Sequence, residues 1–485
     1  MTKPNIIINN IFWRFLERSG AQGVTFIVSI ILARLLEPEV YGIIALVTVF
    51  TTIMQVFIDS GMGNALIQKK DADDLDFSSV FYFNVTICSL LYIIMFFSAP
   101  LIAAFYNIPE LTIIVRVMSL TLIISGVKNI QQAYISRNLL FKKFFFATLG
   151  GTIGAAVVGI WMAYRGYGIW ALIFQHLFNS LVDTIILWIT VKWRPKLMFS
   201  FQRLKKLFSF GWKLLLSSLL ETGYRELSAL IIGKLYTSED LAFYNKGEQF
   251  PTLVVTNINS SIDSVLLPTM SKEQDNKSRV RDITRRAIMT STYLMMPMMM
   301  GLAVCAESVV RILLTEKWLP CVFFLRVFCF TYAFYPVHTV NLNAIKSMGR
   351  SDLFLRLEII KKIIGLSVLL ATMFISVKAI ALSAIGTSIL CQIINSWPNR
   401  KLLEYHYSDQ VRDMLPQISL SCFMGIVVYC VKFLGFNDWL TLLIQVPLGA
   451  GIYTAGSKLF HIDSFEYVLG IAKSYIRKRK IKNLI

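Results

Sequence analysis

Residues 79–104 read SVFYFNVTICSLLYIIMFFSAPLIAA, a stretch without a single Asp, Glu, Lys or Arg. About 20 apolar residues are what an α-helix needs to cross the roughly 30 Å hydrocarbon core of a bilayer. Comparable stretches recur along the chain, so the sequence predicts an all-α integral membrane protein of about fourteen transmembrane helices. The predicted spans are residues 11–35, 41–66, 79–104, 111–136, 146–165, 168–191, 209–234, 249–270, 288–306, 321–345, 354–375, 379–398, 413–433 and 439–457.

The connections between these spans alternate between rich and poor in Lys and Arg. Those on one side, with both termini, hold 30 Lys and Arg in 115 residues, whereas those on the other side hold 5 in 53. Cytoplasmic connections of membrane proteins are enriched in Lys and Arg. We therefore expect a multi-pass protein of the bacterial cell inner (cytoplasmic) membrane, with both its N- and C-termini in the cytoplasm.

The composition agrees with a chain that lies largely in lipid. Hydrophobic residues make up 55% of it and charged residues only 16%, with a mean hydropathy of +0.61, and a soluble domain would carry more charge. The net charge of +19 could indicate nucleic-acid binding. However, the basic residues lie in the predicted cytoplasmic connections and tail, where anionic lipid headgroups attract them. We expect membrane lipids, and no nucleic acid, as partners.

A weak internal repeat appears at an offset near 200 residues. The matches are Trp13 with Trp212, Arg34-Leu35 with Lys234-Leu235, Glu39 with Glu239, and Ile58-Asp59-Ser60 with Ile262-Asp263-Ser264. This pattern predicts two six-helix lobes in the same orientation around a central cavity. The predicted domains are an N-lobe (1–200, spans 1–6), a C-lobe (201–412, spans 7–12), two further spans (413–458) and a basic cytoplasmic tail (459–485).

The sequence offers no convincing catalytic or metal site. None of the four histidines has a partner at metal-ligand spacing. The triplet Asp71-Ala72-Asp73 could be the metal-binding pair of a sugar-nucleotide transferase, but Asp74 and Asp76 follow it, and we favour a solvated acidic turn. No connection between spans exceeds 17 residues, which leaves no room for a catalytic module. We expect no catalytic residue, no metal and no cofactor.

Ionisable residues inside predicted spans are the candidate functional residues, because such residues are costly in lipid and usually face a cavity or a partner. Guanidinium groups suit an anionic ligand, since they pair with phosphate oxygens in a bidentate manner. An ion pair of structural importance is the alternative for the deep arginines, and snorkelling to headgroups is the alternative near span ends, as for Arg14, Arg116 and Lys213. The substrate-binding candidates are Arg18, Arg225, Arg14, Glu17, Glu221, Asp59 and Asp263, with Glu226 beside Arg225 and further polar positions at Lys128, Asp183, Arg326, Lys346, Gln55, Asn64, Asn84, Asn257, Asn259, Asn341 and Asn343.

Several motifs, in order along the chain, resemble a known family. Leu32–Gly42 (LARLLEPEVYG) resembles the first-loop signature of Wzx-type flippases, and Asp59–Gln68 (DSGMGNALIQ) resembles the end of their second span. Val265–Pro268 (VLLP) and Thr315–Trp318 (TEKW) are similar to the colanic-acid-exporter type. The resemblance implies the fold of the multidrug/oligosaccharidyl-lipid/polysaccharide exporter (MOP) superfamily, with two six-helix lobes forming a V-shaped cavity and two extra C-terminal helices.

The resemblance also implies a function: moving undecaprenyl-diphosphate-linked oligosaccharide across the inner membrane by alternating access, for lipopolysaccharide, capsule or exopolysaccharide biosynthesis, beside polymerase or ligase machinery. A multidrug exporter of the same superfamily is one alternative. A membrane glycan polymerase or glycosyltransferase is another, although the connections on the outer side have at most 14 residues. The energy source stays open, because a proton, a sodium ion or the membrane potential could act through Asp59, Glu221 or Asp263.

Overall fold

The structure, a computed structural model, describes residues 4–59, 62–69, 71–138 and 140–470. All regular elements within these ranges are helical, which confirms the predicted fold class. The chain forms two compact units, Met1–Ala242 and Phe243–Ile485, with one long helix running across the boundary between them.

The first unit is built from helices α1 (Pro4–Leu35), α2 (Pro38–Asp59), α3 (Met62–Gln68), α4 (Asp74–Tyr106), α5 (Leu111–Met118), α6 (Leu120–Arg137), α7 (Phe141–Tyr164), α8 (Ile169–Thr190) and α9 (Phe201–Leu235). Helix α10 (Ser238–Lys272) crosses into the second unit, which continues with α11 (Lys277–Leu314), α12 (Cys321–Ala333), α13 (Tyr335–Ser347), α14 (Ser351–Thr372), α15 (Val377–Ser396), α16 (Asn399–Leu402), α17 (Tyr407–Cys430) and α18 (Asp438–Leu459). Two short 3₁₀ turns, Glu316–Trp318 and Val431–Leu434, precede α12 and follow α17.

Among the described residues, ten helical segments are long and apolar enough to cross a membrane. Helices α1, α9, α10 and α14 occupy the positions of predicted spans 1, 7, 8 and 11 but are not among those ten, and Gly20–Leu35 of α1 is a shorter apolar helix. The count of fourteen spans therefore stays a prediction. Spans 4 and 10 each consist of two helices, broken at Ser119 and Phe334. The second break is followed by Pro336, which cannot donate a backbone hydrogen bond to the preceding turn.

The acidic turn before α4 has a structural role that the sequence interpretation did not anticipate. Asp73 caps α4 by accepting a hydrogen bond from the backbone N–H of Asp76. Its carboxylate also pairs with the Arg203 guanidinium at 2.6 Å, and this hydrogen bond lowers the pKa of Asp73 to about 2. Lys196 pairs with Asp74 at 2.6 Å in the same way. The turn thus joins α4 to α9, through Arg203, and to the connection before α9, through Lys196. The stabilisation from the Asp73 carboxylate is lost only as the pH falls from about 4, the pKa of an aspartate in the unfolded chain, towards 2.

Helix α2 lies close to α9 and to the first residue of α10 because glycine stands at each of these two contacts. A Cβ atom on Gly42 would lie 1.7 Å from the carbonyl oxygen of Ser238, just after α9, and one on Gly233 would lie 2.1 Å from a methyl group of Leu46. The first unit therefore includes residues beyond position 200. The lobe boundary predicted from the repeat stays a prediction.

The beginning of the predicted tail packs on the second unit. Residues 463–470 are helical, and Ile462, Phe465 and Val468 belong to an apolar cluster with residues of α11, α17 and α18. The basic part of the predicted tail, residues 471–485, lies outside the described residues.

Two prolines inside spanning helices are accommodated by side chains from other helices. Proline has no N–H, so the carbonyl four residues earlier loses its helical partner. For Pro100 that carbonyl is Phe96, and it accepts a hydrogen bond from Arg116 Nε at 3.2 Å, with the guanidinium also 4.2 Å from the Phe96 ring centre. The Arg116 guanidinium therefore has its contacts within the first unit, and its snorkelling to headgroups stays a prediction.

In the second unit the corresponding solution uses a tyrosine. Pro297 in α11 frees the carbonyl of Tyr293, which accepts a hydrogen bond from the Tyr453 hydroxyl of α18 at 2.9 Å. A backbone carbonyl without a partner is costly in a bilayer, where water cannot replace the missing donor. Both contacts therefore stabilise helices that would otherwise be weakened at the proline.

We expect Arg116→Met to destabilise the protein by about 1–3 kcal/mol, the cost of an unsatisfied buried polar group, as measured by thermal unfolding in detergent. Pro100→Ala restores an N–H that can donate to the Phe96 carbonyl. The loss caused by Arg116→Met should accordingly be smaller in a Pro100→Ala background. Equal losses in the two backgrounds would show that Arg116 does not act through this carbonyl.

The charge alternation makes a second prediction, about orientation. In a variant without the seven native cysteines, single cysteines at the exposed positions Ser278 and Ser408 should react with a membrane-impermeant thiol reagent only after the membrane is opened. A cysteine at the exposed position Glu110 should react in intact spheroplasts. Labelling of Ser278→Cys from outside would contradict the predicted orientation.

Candidate functional site

Helix α10 carries a polar face in the middle of a predicted span. Asn257, Ser261 and Ser264 recur at helical spacing and are exposed, so they share one side of the helix. Their side-chain donors bind carbonyls of their own helix, for example Ser261 Oγ with Asn257 at 2.9 Å. Polar side chains at this depth face water or protein and not lipid. This face is therefore a candidate for contact with a polar ligand.

Helix α9 is similarly polar at mid-depth. Arg225 and Glu221 are exposed, and Arg225 Nε pairs with Glu226 at 3.2 Å. The side chain of Arg225 is 64% exposed and that of Glu226 only 21%. Arg225 thus forms the kind of ion pair that the sequence analysis gives as an alternative to ligand binding. The rest of its side chain is exposed and is accessible to a ligand.

For the candidate residues of the first span, the structure describes the helix but not the side chains. Arg14, Glu17 and Arg18 lie on α1, but their side chains are outside the described part of the structure. Their predicted role in binding substrate stays a prediction.

Asp59, the last residue of α2, belongs to a polar network within the first unit. Its Oδ1 accepts hydrogen bonds from Gln55 Nε2 at 3.2 Å and from Asn129 Nδ2 of α6 at 3.3 Å. Asn129 Oδ1 in turn accepts from Asn84 Nδ2 of α4 at 3.2 Å. Three helices are therefore joined through one carboxylate and two buried amides.

A charged pair lies beside this network. Lys128, next to Asn129 in α6, pairs with Asp183 of α8 at 3.1 Å, and both side chains are largely buried. Removing one partner of such a pair leaves an uncompensated charge, which is strongly destabilising. We therefore interpret Lys128 and Asp183 as a structural pair.

Asp263 has an equivalent position in the second unit. Its Oδ1 accepts a hydrogen bond at 2.9 Å from Nδ2 of Asn343, a residue of α13 with 1% exposure. Nearby on α13, Asn341 exchanges two amide hydrogen bonds with Gln410, at 3.0 and 3.1 Å, and accepts another from Asn399 at 2.7 Å. The repeat seen in the sequence thus recurs as an Asp–Asn contact in each unit.

Sequence reasoning missed one of these partners. Asn343 was among the polar positions noted in the spans, whereas Asn129 was not. The signal was available, because α6 and α13 are the second halves of spans 4 and 10, which are equivalent in the repeat.

Charges in α14 were missed as well. This helix contains Arg356, Glu358, Lys361 and Lys362 within a predicted span. Lys361 and Glu358 form an ion pair at 2.6 Å, with 14% and 27% of their side chains exposed. The pair neutralises two charges one turn apart, which makes a helix of this composition compatible with a membrane.

Within the described residues, no group of three or more His, Cys, Asp or Glu side chains could hold a metal ion. The polar groups described above are a polar face on α9 with an accessible arginine, a polar face on α10, and two carboxylates that accept hydrogen bonds from amides. These groups can bind a polar or anionic ligand.

Comparison with known proteins identifies relatives of this chain. The profile of a family described as polysaccharide biosynthesis protein matches residues 31–323. The teichuronic acid biosynthesis protein TuaB of Bacillus subtilis is 24% identical over 83% of this chain and 85% of its own length. The lipopolysaccharide biosynthesis protein WzxC of Escherichia coli is 21% identical over 77% of this chain and 76% of its own. The resemblance to Wzx-type proteins is thereby confirmed.

Among solved structures, the lipid II flippase MurJ in an inward closed conformation superposes with a TM-score of 0.74. It covers 95% of this chain and 99% of its own length at 16% sequence identity. At this identity the similarity establishes a shared fold.

Proposed function

We propose that this chain, which belongs to the polysaccharide biosynthesis protein family, is a flippase. Its substrate would be undecaprenyl-diphosphate-linked oligosaccharide, which it would move from the cytoplasmic to the periplasmic leaflet of the bacterial inner membrane. The product would serve the synthesis of a surface polysaccharide by a periplasmic polymerase or ligase. The transport would proceed by alternating access, without covalent chemistry or a cofactor.

Two separate observations support this proposal: an exposed, charged face on α9 in the first unit and a polar face on α10 in the second. A lipid-linked sugar needs a hydrophilic path for its glycan and diphosphate while its polyprenyl chain stays in lipid. Exposed Arg225 on α9 and exposed Asn257 and Ser261 on α10 supply a cation and hydrogen-bonding groups at membrane depth. The glycan itself would be selected by the shape of the path.

The two alternatives predict different features. A drug exporter of the same superfamily would take cationic compounds, which the positive charge of exposed Arg225 would repel. A glycan polymerase or glycosyltransferase would need acidic or basic catalytic groups outside the membrane, and the short outer connections offer little space for them. Translocation of an anionic lipid-linked glycan fits the charge of α9 better than either.

We propose further that Arg225, together with Arg18 and Arg14, contacts the diphosphate. The planar guanidinium can donate two parallel hydrogen bonds to phosphate oxygens. Glu226 accepts a hydrogen bond from Nε of Arg225, which orients the guanidinium while most of the Arg225 side chain remains exposed. Glu17 and Glu221 would balance the cationic charge along the path.

We expect Arg225→Gln to lower transport about tenfold or more, since a hydrogen bond to a charged group contributes about 1.5–3 kcal/mol and about 1.4 kcal/mol corresponds to tenfold. Arg225→Lys should retain part of the activity, because lysine keeps the charge but not the planar fork. The measurement is restoration of surface polysaccharide in a deletion strain, normalised to protein abundance.

The matched control is the double variant Arg225→Gln with Glu226→Gln, which removes both charges of the pair. If Arg225 only balances Glu226, the double variant should regain function, because an unpaired charge is the costly state. Recovery in the double variant would exclude Arg225 as a diphosphate contact.

Deleting the gene should leave assembly of the lipid-linked oligosaccharide intact but trap it on the cytoplasmic leaflet. Surface polysaccharide should then disappear while the complete undecaprenyl-diphosphate-linked unit accumulates, as measured by mass spectrometry of extracted lipids. In a strain without a second flippase, an unchanged lipid profile with normal surface polysaccharide would contradict the proposal. A truncated glycan would identify a transferase instead, and altered tolerance to cationic dyes alone would identify a drug exporter.

A further inference from the structure

A cluster of charged side chains lies at the predicted outer end of the second unit. Glu307 of α11 accepts hydrogen bonds from Arg311 at 3.3 Å and from Lys432 at 2.5 Å. Lys432 belongs to the 3₁₀ turn after α17, and all three side chains are partly exposed, between 28% and 44%. The predicted outer connections hold only 5 Lys and Arg in 53 residues. Two cations on one carboxylate are therefore an unusual concentration of positive charge for this side.

Arg326 of α12 adds a third cation. Its Nε donates a hydrogen bond at 3.2 Å to the carbonyl of Ala303, which lies one turn before Glu307 on α11. The other two guanidinium nitrogens of Arg326 have no hydrogen-bond partner among the described residues. Nε of Arg311 is removed from solvent and has none within them either. Donor groups of two arginines are thus available beside Glu307.

The equivalent arginine of the first unit is covered. Arg116 of α5 donates its Nε at 3.2 Å to a carbonyl of the preceding long helix, that of Phe96, as Arg326 does in the second unit. The Phe96 ring lies over the Arg116 guanidinium, at 4.2 Å from the ring centre. Ala303 stands at the position of Phe96 and has no ring. The guanidinium of Arg326 is therefore left open where that of Arg116 is shielded.

The residues that follow these two carbonyls also differ. Four and eight positions after Phe96, the first unit has the uncharged residues Pro100 and Ala104. At the same distances after Ala303, the second unit has Glu307 and Arg311. The charged cluster is therefore not a requirement of the helix arrangement that the two units share.

The turn between α17 and α18 indicates the depth of this cluster in the membrane. Phe433, next to Lys432, is 77% exposed, and Trp439 at the beginning of α18 is 71% exposed. Tryptophan is enriched at the membrane–water interface, where its ring lies at the level of the lipid headgroups. Phosphate groups of phospholipids occupy this layer, so their oxygens are the anions most available to the cluster.

We propose that Arg326, Arg311 and Lys432 bind the phosphate of an anionic phospholipid in the outer leaflet. Guanidinium groups donate paired hydrogen bonds to phosphate oxygens, and Arg326 has two open nitrogens for this purpose. Glu307 would hold Arg311 and Lys432 in position beside the phosphate. The bound lipid would link α11 and α12 to the turn after α17.

The charge of the cluster favours a lipid with one net negative charge. Besides Glu307, one more carboxylate lies close by: Asp438 of α18 accepts a hydrogen bond from Ser308 of α11 at 2.9 Å. The three cations and these two carboxylates together carry a net charge of +1. This charge matches the headgroup of phosphatidylglycerol, whereas the choline of phosphatidylcholine would add a further cation. The site does not depend on the proposed function, so it can be tested without the lipid-linked glycan.

The test is a local measurement of lipid binding in vesicles that contain the purified full-length protein. A fluorophore is attached at Phe436→Cys, an exposed position of the turn, in the variant without the seven native cysteines. Its quenching by phosphatidylglycerol with brominated chains is compared with quenching by brominated phosphatidylcholine at equal mole fraction. We expect phosphatidylglycerol to bind about fivefold more tightly there, the effect of one basic residue near an anionic membrane surface.

Arg326→Gln should bring the two lipids close to equal binding, because it removes the excess positive charge and the open donors. Arg311→Gln should have the same effect, and it provides a second variant if Arg326→Gln does not fold. The matched control is a fluorophore at Leu101→Cys, a position of the first unit that is 73% exposed and adjoins Pro100. It reports on the surroundings of the covered Arg116 and should be quenched equally by both lipids.

Equal binding of the two lipids near Phe436 in the otherwise unchanged protein would overturn the proposal. So would a preference that survives both Arg326→Gln and Arg311→Gln, or one that is equally strong at Leu101, since either would reflect general surface charge. Loss of the preference on adding inorganic diphosphate at constant ionic strength would assign the cluster to a free phosphate, and would refute the assignment to a phospholipid.

Discussion

The absence of water in the hydrocarbon core is the constraint on which the rest of this structure depends. Every backbone carbonyl and every side-chain polar group at that depth needs a partner from the protein. Pro100 and Pro297 each remove one helical donor, and Arg116 and Tyr453 from other helices replace it. An arginine that sequence position alone would assign to the membrane surface is thereby part of the packing of the first unit.

The same constraint gives meaning to polar atoms that lack a partner. In a soluble protein, water could satisfy the open guanidinium nitrogens of Arg326. At the end of a spanning bundle, such a group either costs stability or meets water and lipid headgroups. The duplicated architecture sharpens this reasoning, because the equivalent guanidinium of Arg116 is covered by the Phe96 ring.

The sequence predicted the fold class, the positions of the helices and the family well, because long apolar stretches and charge alternation are local signals. It also identified Asp59 and Asp263 as equivalent residues. It did not identify Asn129 or the pairing of Asp73 with Arg203, because those contacts join segments distant in the chain. It also missed the charges of α14, since Glu358 and Lys361 neutralise each other only once the helix brings them one turn apart.

The contact of Gly42 with Ser238 is made by backbone atoms, and it therefore depends on distance and hardly on side-chain chemistry. With a Cβ atom only 1.7 Å from the Ser238 carbonyl, any larger residue at position 42 would act as a wedge between α2 and the junction of α9 with α10. Such a wedge would exclude conformations in which these segments touch. It would not affect conformations in which they are apart. A single methyl group at position 42 would thus bias the population of conformations without altering any group that contacts a ligand.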